Sequence, residues 1–409
     1  MKTRLIISVV IISLATMWSC KKDAPEMRDI PLSVQQKNMV VSGNAFAFNL
    51  LQRTVAFEET PKNIMISPLS VHYALAMTAN GARNNTLAQM LEAMDFAQYD
   101  IDAFNQYFKF LMGELTSLDD KVDLSIANSI WYRNTFSVLP AFLEVNQQYY
   151  NAEVSALDFD SPQAVNTIND WVDNATRGKI DEIVEDIGPD MVMFLINAIY
   201  FYGEWKFEFD PASTSDRDFI KGDNQVVSVP TMQMEADLKY FAGADATVVE
   251  LPYGRGNFVM NILLPSFNSN PQALVALLDL PTWTNWSDVM TERNVKLYLP
   301  KFSFEYEQTL NQMLIDLGMT DLFSAGIADL SGINGSGGLV VSEVKHKTFI
   351  DVDEKGTEAA AVTSVGVELT MVDPNGPVTM VVDRPFVFLI REKSTGAVLF
   401  SGVVENPLE

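Results

Sequence analysis

Cysteine is nearly absent: Cys20 is the only one among 409 residues. Disulfides are thereby excluded, and the fold must be held by its core. Histidine is almost as scarce, with His72 and His346 alone. A Ser-His-Asp triad or a multi-histidine metal site has next to nothing to build on, so neither an enzyme of those kinds nor a cofactor is expected. Bases number 28 against 53 acids, for a formal net charge of −25. Phosphate backbones are bound by clustered Lys and Arg, and only Lys345-His346-Lys347 makes a short basic knot. Nucleic acid and sulfated sugars are disfavoured as partners. Gly/Ser- or Pro-rich linkers and internal repeats are missing too. A hydrophobic content of 48% then supports one large mixed domain, although the length alone would allow two or three.

What is present begins with a targeting segment. Lys2 and Arg4 precede an apolar run from Leu5 to Ala15 that is too short to span a bilayer. Met17-Trp18-Ser19-Cys20 then reads as a bacterial lipobox, with the sole thiol where a diacylglycerol would attach. The expected organisation is a lipoprotein signal peptide over 1–20, a polar tether with Pro25 and Pro31 over 21–40, and a folded domain over 41–409. The product would be an exported monomer anchored by Cys20 in the cell envelope, on the periplasmic face of the outer membrane or on the cell surface.

Helices dominate the first half. Apolar spacing predicts them over Gly43 to Phe57, Thr86 to Met94, Ile101 to Leu115, Pro140 to Tyr149 and Pro162 to Thr176. Ser67-Pro68 opens another that runs to about Gly81, Ser being a good cap and Pro fitting the first helical position. Leu124 to Tyr132 is strand-like. Met191 to Phe201 is a near-continuous apolar run, which predicts a strand buried on both faces. Strands dominate the second half: Val226 to Met234, Val248 to Leu251, Phe258 to Leu264, Val295 to Phe304, Leu339 to Val352, Val378 to Val382, Phe386 to Arg391 and Val398 to Val404. Thr309 to Leu317 is a helix closed by Gly318, and Lys393-Ser394-Thr395-Gly396 turns the last two strands into a hairpin. Helices first and strands later, with few βαβ units, predict an α+β fold.

The segment from Asp353 to Thr363 is charged, then small, with no proline before Pro374. Read as a strand, one face carries Thr357, Ala359, Ala361, Thr363, Val365, Val367 and Leu369. The other carries Glu358, Ala360, Val362, Ser364, Gly366 and Glu368. Both charges share one face. The pattern suits either a flexible Ala-rich surface loop or a segment able to enter a sheet with one side buried.

Asp353-Glu354-Lys355-Gly356-Thr357-Glu358-Ala359-Ala360 resembles the reactive-loop hinge of the serpins. Asn63-Ile64 with Ser67-Pro68-Leu69-Ser70 is similar to that family's N-I-x-x-S-P-x-S helix start. Asn169 and Trp171-Val172 before Thr176, Gly178-Lys179-Ile180 resemble its N-x-W-V…T-x-G-K-I segment. Asn197-Ala198, Phe201, Gly203 and Trp205 resemble its N-A-x-x-F-x-G-x-W strand. Leu299 to Phe302, Ala328 to Ile333, Asp383 to Phe388 and Leu399 to Gly402 complete the family's order over residues 40 to 409.

The resemblance implies the serpin fold: one domain with a central, mostly antiparallel sheet, further sheets, eight or nine helices and an exposed reactive loop over about 354–380. It implies a suicide inhibitor whose cleaved loop enters the sheet and carries the acylated protease with it. Roughly fifteen new ladder residues at roughly 0.5–1.5 kcal/mol each would release on the order of ten kcal/mol, and Val365, Val367 and Leu369 would add roughly 1.5–3 kcal/mol each. The hinge is Glu354, Lys355, Gly356, Thr357, Glu358, Ala359, Ala360 and Ala361. The family's spacing from Glu354 puts the reactive bond at Thr370–Met371, with Leu369 and Val372 forming the alternates. Asp373 to Pro377 makes the loop longer than usual, which leaves the bond open by one or two residues. No Arg or Lys lies between Lys355 and Arg384, which disfavours trypsin-like targets. Elastase-, chymotrypsin- or subtilisin-like enzymes fit better, and papain-like ones remain open. Ser67, Ser70, Asn197, Trp205 and His346 match positions that control sheet opening. Ordinary core roles for them, a non-inhibitory serpin, and a surface adhesion lipoprotein stand as alternatives. Ser342-x-x-Lys345 and Ser42-Gly43-Asn44 mimic penicillin-recognising enzymes, but in reversed order and without a K-T-G.

Overall fold

The computed structural model describes residues 27–357 and 377–409. Its α-helices are α1 (Val34–Phe57), α2 (Pro68–Ala79), α3 (Asn84–Ala93), α4 (Ile101–Leu115), α5 (Pro140–Tyr150), α6 (Gln163–Ala175), α7 (Pro271–Leu277), α8 (Leu280–Val289), α9 (Asn311–Asp316) and α10 (Ser331–Asn334). Its strands are β1 (Ile64–Ile66), β2 (Val122–Arg133), β3 (Glu153–Leu157), β4 (Met193–Glu204), β5 (Ser215–Ile220), β6 (Val226–Ala242), β7 (Ala246–Tyr253), β8 (Phe258–Pro265), β9 (Thr291–Pro300), β10 (Phe302–Thr309), β11 (Lys345–Val352), β12 (Gly356–Thr357), β13 (Val378–Val381), β14 (Phe386–Glu392) and β15 (Val398–Val404). The class is α+β, with ten α-helices among the described residues.

Two sheets organise the molecule. A nine-stranded sheet runs β1-β15-β14-β8-β7-β6-β9-β13, with β5 beside β6. A six-stranded sheet runs β10-β11-β12-β4-β2-β3. Pairing is antiparallel except β2 with β3 and β9 with β13. Under one face of the six-stranded sheet lies the main core, with α1, α2, β14 and β15 contributing fully buried Phe46, Tyr73, Phe388 and Leu399. The other face carries α6, which packs Ile168 and Val172 against Trp131 and Ile196.

Four expectations are corrected. The tether expected over 21–40 ends early among its described residues. Ser33 and Gln36 form a capping box that starts α1 at Val34, and Ile30, Met39 and Val40 are buried. Val295 to Phe304 is two strands, divided at Lys301, whose N–H bonds Pro230 O (2.9 Å) in the nine-stranded sheet while β10 joins the other sheet. Leu339 to Val344 forms no strand: the Val344 N–H is taken by Asn311 Oδ1 (2.8 Å), and pairing begins at Lys345. Finally, β4 is not enclosed on both faces. Ile196, Ala198 and Tyr200 are buried, but Leu195, Asn197 and Ile199 are only half-buried, and no described strand pairs with most of one edge of β4.

Candidate functional site

That missing neighbour defines the site. β11 and β4 each pair antiparallel with β12, so they run parallel to one another. β12 joins them only at one end, through Val352↔Thr357, Gly356↔Glu204 and Thr357↔Gly203. Below these pairs no described strand fills the seam. Three cavities follow it instead. One of about 30 Å³ lies between Ile199–Phe201 and Thr348–Asp351. One of about 20 Å³ is bordered by Ser67, Ser70, Asn197 and His346. The last, of about 420 Å³, opens between Met191–Asn197, Leu339–His346 and α2.

The closed end is built with care for backbone partners. Asp353 Oδ1 accepts from the N–H groups of Lys355 (2.9 Å) and Gly356 (3.3 Å), which makes a tight turn. Trp205 Nε1 donates to Asp353 O (2.8 Å), Trp205 N to Lys355 O (2.7 Å) and Phe209 N to Glu354 O (2.9 Å). Gly356 is fixed by close approach: a Cβ there would lie 2.1 Å from Gly203 O and 2.8 Å from Glu204 Cα. Thr357 is 4% exposed, and its hydroxyl meets the Tyr253 hydroxyl at 2.6 Å. Trp205 stacks on Tyr253 with centroids 4.4 Å apart. Burial opposes the charge on Glu354, but Lys301 Nζ (2.8 Å) and the Thr214 hydroxyl (2.7 Å) hold its pKa below the usual carboxylate value. Burial raises that of Asp353, against the pull of the two turn N–H groups.

Halfway along the seam lies a polar cluster. Ser67 caps α2: its Oγ accepts from Ser70 N (3.1 Å) and donates to Leu399 O (2.8 Å). His346 Nε2 accepts from Ser67 N (2.9 Å), which requires a neutral ring, and burial lowers its pKa to about 4. Ser70 Oγ donates to Asn197 O at 3.5 Å. Asn197 Nδ2 donates to Asn128 Oδ1 (2.8 Å), and its own Oδ1 is buried without a partner among the described residues. His72 is a core residue instead, set among Phe46, Phe96 and Phe108, with its pKa lowered by burial to about 3.

The structure thus brings Ser67, Ser70, Asn197 and His346 together, and gathers Glu354, Lys355, Gly356 and Thr357 around Trp205. Glu358, Ala359, Ala360, Ala361, Leu369, Thr370, Met371, Val372 and Cys20 lie outside the described residues. Sequence reasoning missed Tyr253, Thr214, Lys301 and Asn128. Lys301 sits within a motif quoted above, but nothing local marks it as a partner of a residue 53 positions away. The flanking members of the basic knot are ion-paired, Lys345 with Glu185 and Lys347 with Asp181 and Glu305.

The sequence profile of the family described as "Serpin (serine protease inhibitor)" matches residues 41–407. Human alpha-1-antichymotrypsin is 36% identical over 369 residues, covering 88% of this chain and 86% of that protein. Among solved structures, the native state of the thermophilic serpin tengpin superposes with a TM-score of 0.82 at 34% identity, over 94% of this chain and 97% of the other. Thyroxine-binding globulin in complex with thyroxine gives 0.82 at 30% identity, over 91% and 100%. A six-stranded sheet joined at its head by Gly356-Thr357 and a profile match over nearly the whole chain lead to one conclusion: this protein belongs to the serpin family.

Proposed function

We propose that this serpin inhibits serine-type endopeptidases by suicide trapping, with residues 358 onward entering the seam after cleavage. One observation carries the reading: two parallel strand edges face a seam that no described strand fills, and its first rungs are already laid by Gly356 and Thr357. Continuing that register would set Ala359 opposite Phe201, Ala361 between Ile199 and Thr348, Thr363 between Asn197 and His346, and Val365 between Leu195 and Val344. These side chains would share the buried side of Thr357, and Glu358 and Glu368 would point away from it. Thr363 would arrive beside the unpartnered Asn197 Oδ1 with a hydroxyl to donate. A native state whose described strands leave that seam open would be held kinetically.

The reactive bond is Thr370–Met371, with Leu369 and Val372 as alternates. Apolar and small residues there suit elastase-, chymotrypsin- or subtilisin-like pockets and also papain-like enzymes. The name of the human relative speaks of chymotrypsin. Ser67, Ser70, Asn197, Trp205 and His346 set the barrier to opening and catalyse nothing. The acyl complex with the protease is covalent, the inhibitor is a monomer, and a lipid at Cys20 holds it in the cell envelope. A carrier role, as the thyroxine-binding neighbour's title suggests for that protein, is the second reading. The small hinge residues favour inhibition.

The test incubates protein lacking residues 1–20 with pancreatic elastase, chymotrypsin, subtilisin, trypsin and papain, followed by a denaturing gel and mass spectrometry. A band at the summed mass with a cut near Thr370 supports trapping. Loop cleavage without such a band by every enzyme favours the carrier reading.

A further inference from the structure

The largest cavity of the seam offers more than room for the loop. Its floor is one face of α2, where Val71, Ala74, Leu75 and Thr78 recur at helical spacing. Its walls are Met193 and Leu195 on β4 and Leu339 and Val341 opposite. The volume of about 420 Å³ falls within the roughly 300–1,000 Å³ of small-molecule sites. Ser70, Asn197 and His346 also border the neighbouring small cavity and so mark the inner end. There Asn197 Oδ1 is a buried acceptor without a donor, and His346 is neutral. Asp190 and Glu343 border the cavity and are exposed. Lys345, which also borders the cavity, is ion-paired with Glu185, so an anion would meet two carboxylates outside, and inside it has no proton to give Asn197 Oδ1.

We propose that this cavity binds a neutral apolar molecule ending in one hydrogen-bond donor, of the class of medium-chain alcohols, and that such a ligand regulates the inhibitor. The proposal rests on the insertion reading, because in the continued register Val365 and Val367 would need this space. An occupied cavity stops insertion partway, the acyl-enzyme is hydrolysed, and the loop is turned over as a substrate.

The test uses 1-decanol and sodium decanoate as probes on the whole domain, with binding read by calorimetry and trapping read as inhibitor consumed per protease inactivated. Decanol is expected to bind saturably, decanoate about tenfold more weakly or worse, equivalent to ~1.4 kcal/mol, and decanol to raise the consumption ratio. Ala74→Phe fills the floor and Val341→Trp fills a wall outside any helix or strand. Either variant, shown folded by its native melting transition, should weaken decanol binding about tenfold or more. No saturable decanol binding, equal binding of decanoate, or full binding by a folded filled-cavity variant overturns the proposal. Trapping by the ligand-free protein is measured in the same series, so failure of inhibition itself is seen separately.

Discussion

The Thr357 hydroxyl meets that of Tyr253 at 2.6 Å, beneath a ring that stacks on Trp205. Thr357, which the insertion reading makes the first inserting side chain, is thus already in the core and 4% exposed.

Thr357→Arg should convert the inhibitor into a substrate. A guanidinium would have to occupy this buried site at a cost of several kcal/mol, roughly the penalty for an unpaired buried ion. The gel should show cleaved loop and free, active protease. Undiminished complex formation would overturn the insertion reading.

Gly356→Ala should act one residue earlier through space alone. The added Cβ meets the backbone of Gly203 and Glu204, which no rotamer change can relieve. The variant should lose trapping and keep a reactive loop that is cut at an unchanged rate, as peptide mapping would report.

Acid should loosen the seam. The His346 pKa falls from 6.5 to about 4 on folding because burial disfavours the charged ring. The unfolded imidazole therefore takes up a proton below about pH 6.5 that the folded one refuses until about pH 4, so stability drops as pH falls across that window. Its share is on the order of 3 kcal/mol. His72, lowered to about 3, adds a loss of the same sign. Urea unfolding from pH 7 to pH 4 should show this slope, and His72→Phe should remove only its own part.

Lys301→Met should free the hinge anchor. Glu354 is held ionised by Lys301 and Thr214 against its burial. Its depressed pKa stabilises the native state above the ordinary carboxylate range and loses that effect as pH falls through the folded value. Without Lys301 the acid dependence from Glu354 should shrink, and conversion of the uncut protein to an inactive, heat-resistant form should speed up, as timed incubation followed by the gel assay would measure.

Much of this was legible along the chain. Helices with caps, such as Ser67-Pro68 before α2, announce themselves within a few residues, and α4 spans Ile101–Leu115 as its apolar spacing predicted. Asn197 and His346 could be paired in advance only through a family resemblance, since β5 to β10 and α7 to α10 lie between them in sequence. What stayed hidden was long-range or depended on an absence. The apolar run of β4 carries no sign that one edge lies open. Tyr253 lies 104 residues from Thr357, and Lys301 breaks a strand that its sequence would continue. Three helices went unseen because α7, α8 and α10 are short, and Trp283 and Trp286 in α8 mark a buried face without enough turns to reveal a period.

The loop leaves the hinge at one sheet and returns as β13 in the other, where Val378–Val381 run parallel to β9 from Val295 to Tyr298. An uncut loop is therefore moored at both ends. It can fill the seam only if β13 is first peeled from β9, which sacrifices four residues of pairing and the burial of Met380. On the proposed mechanism this short parallel ladder would act as a safety catch, and a single cut would bypass it by freeing the upstream arm while β13 stays paired with β9. Weakening β13 would create an inhibitor that discharges unprovoked, so the shelf life of the active form is written in a strand that never meets the seam.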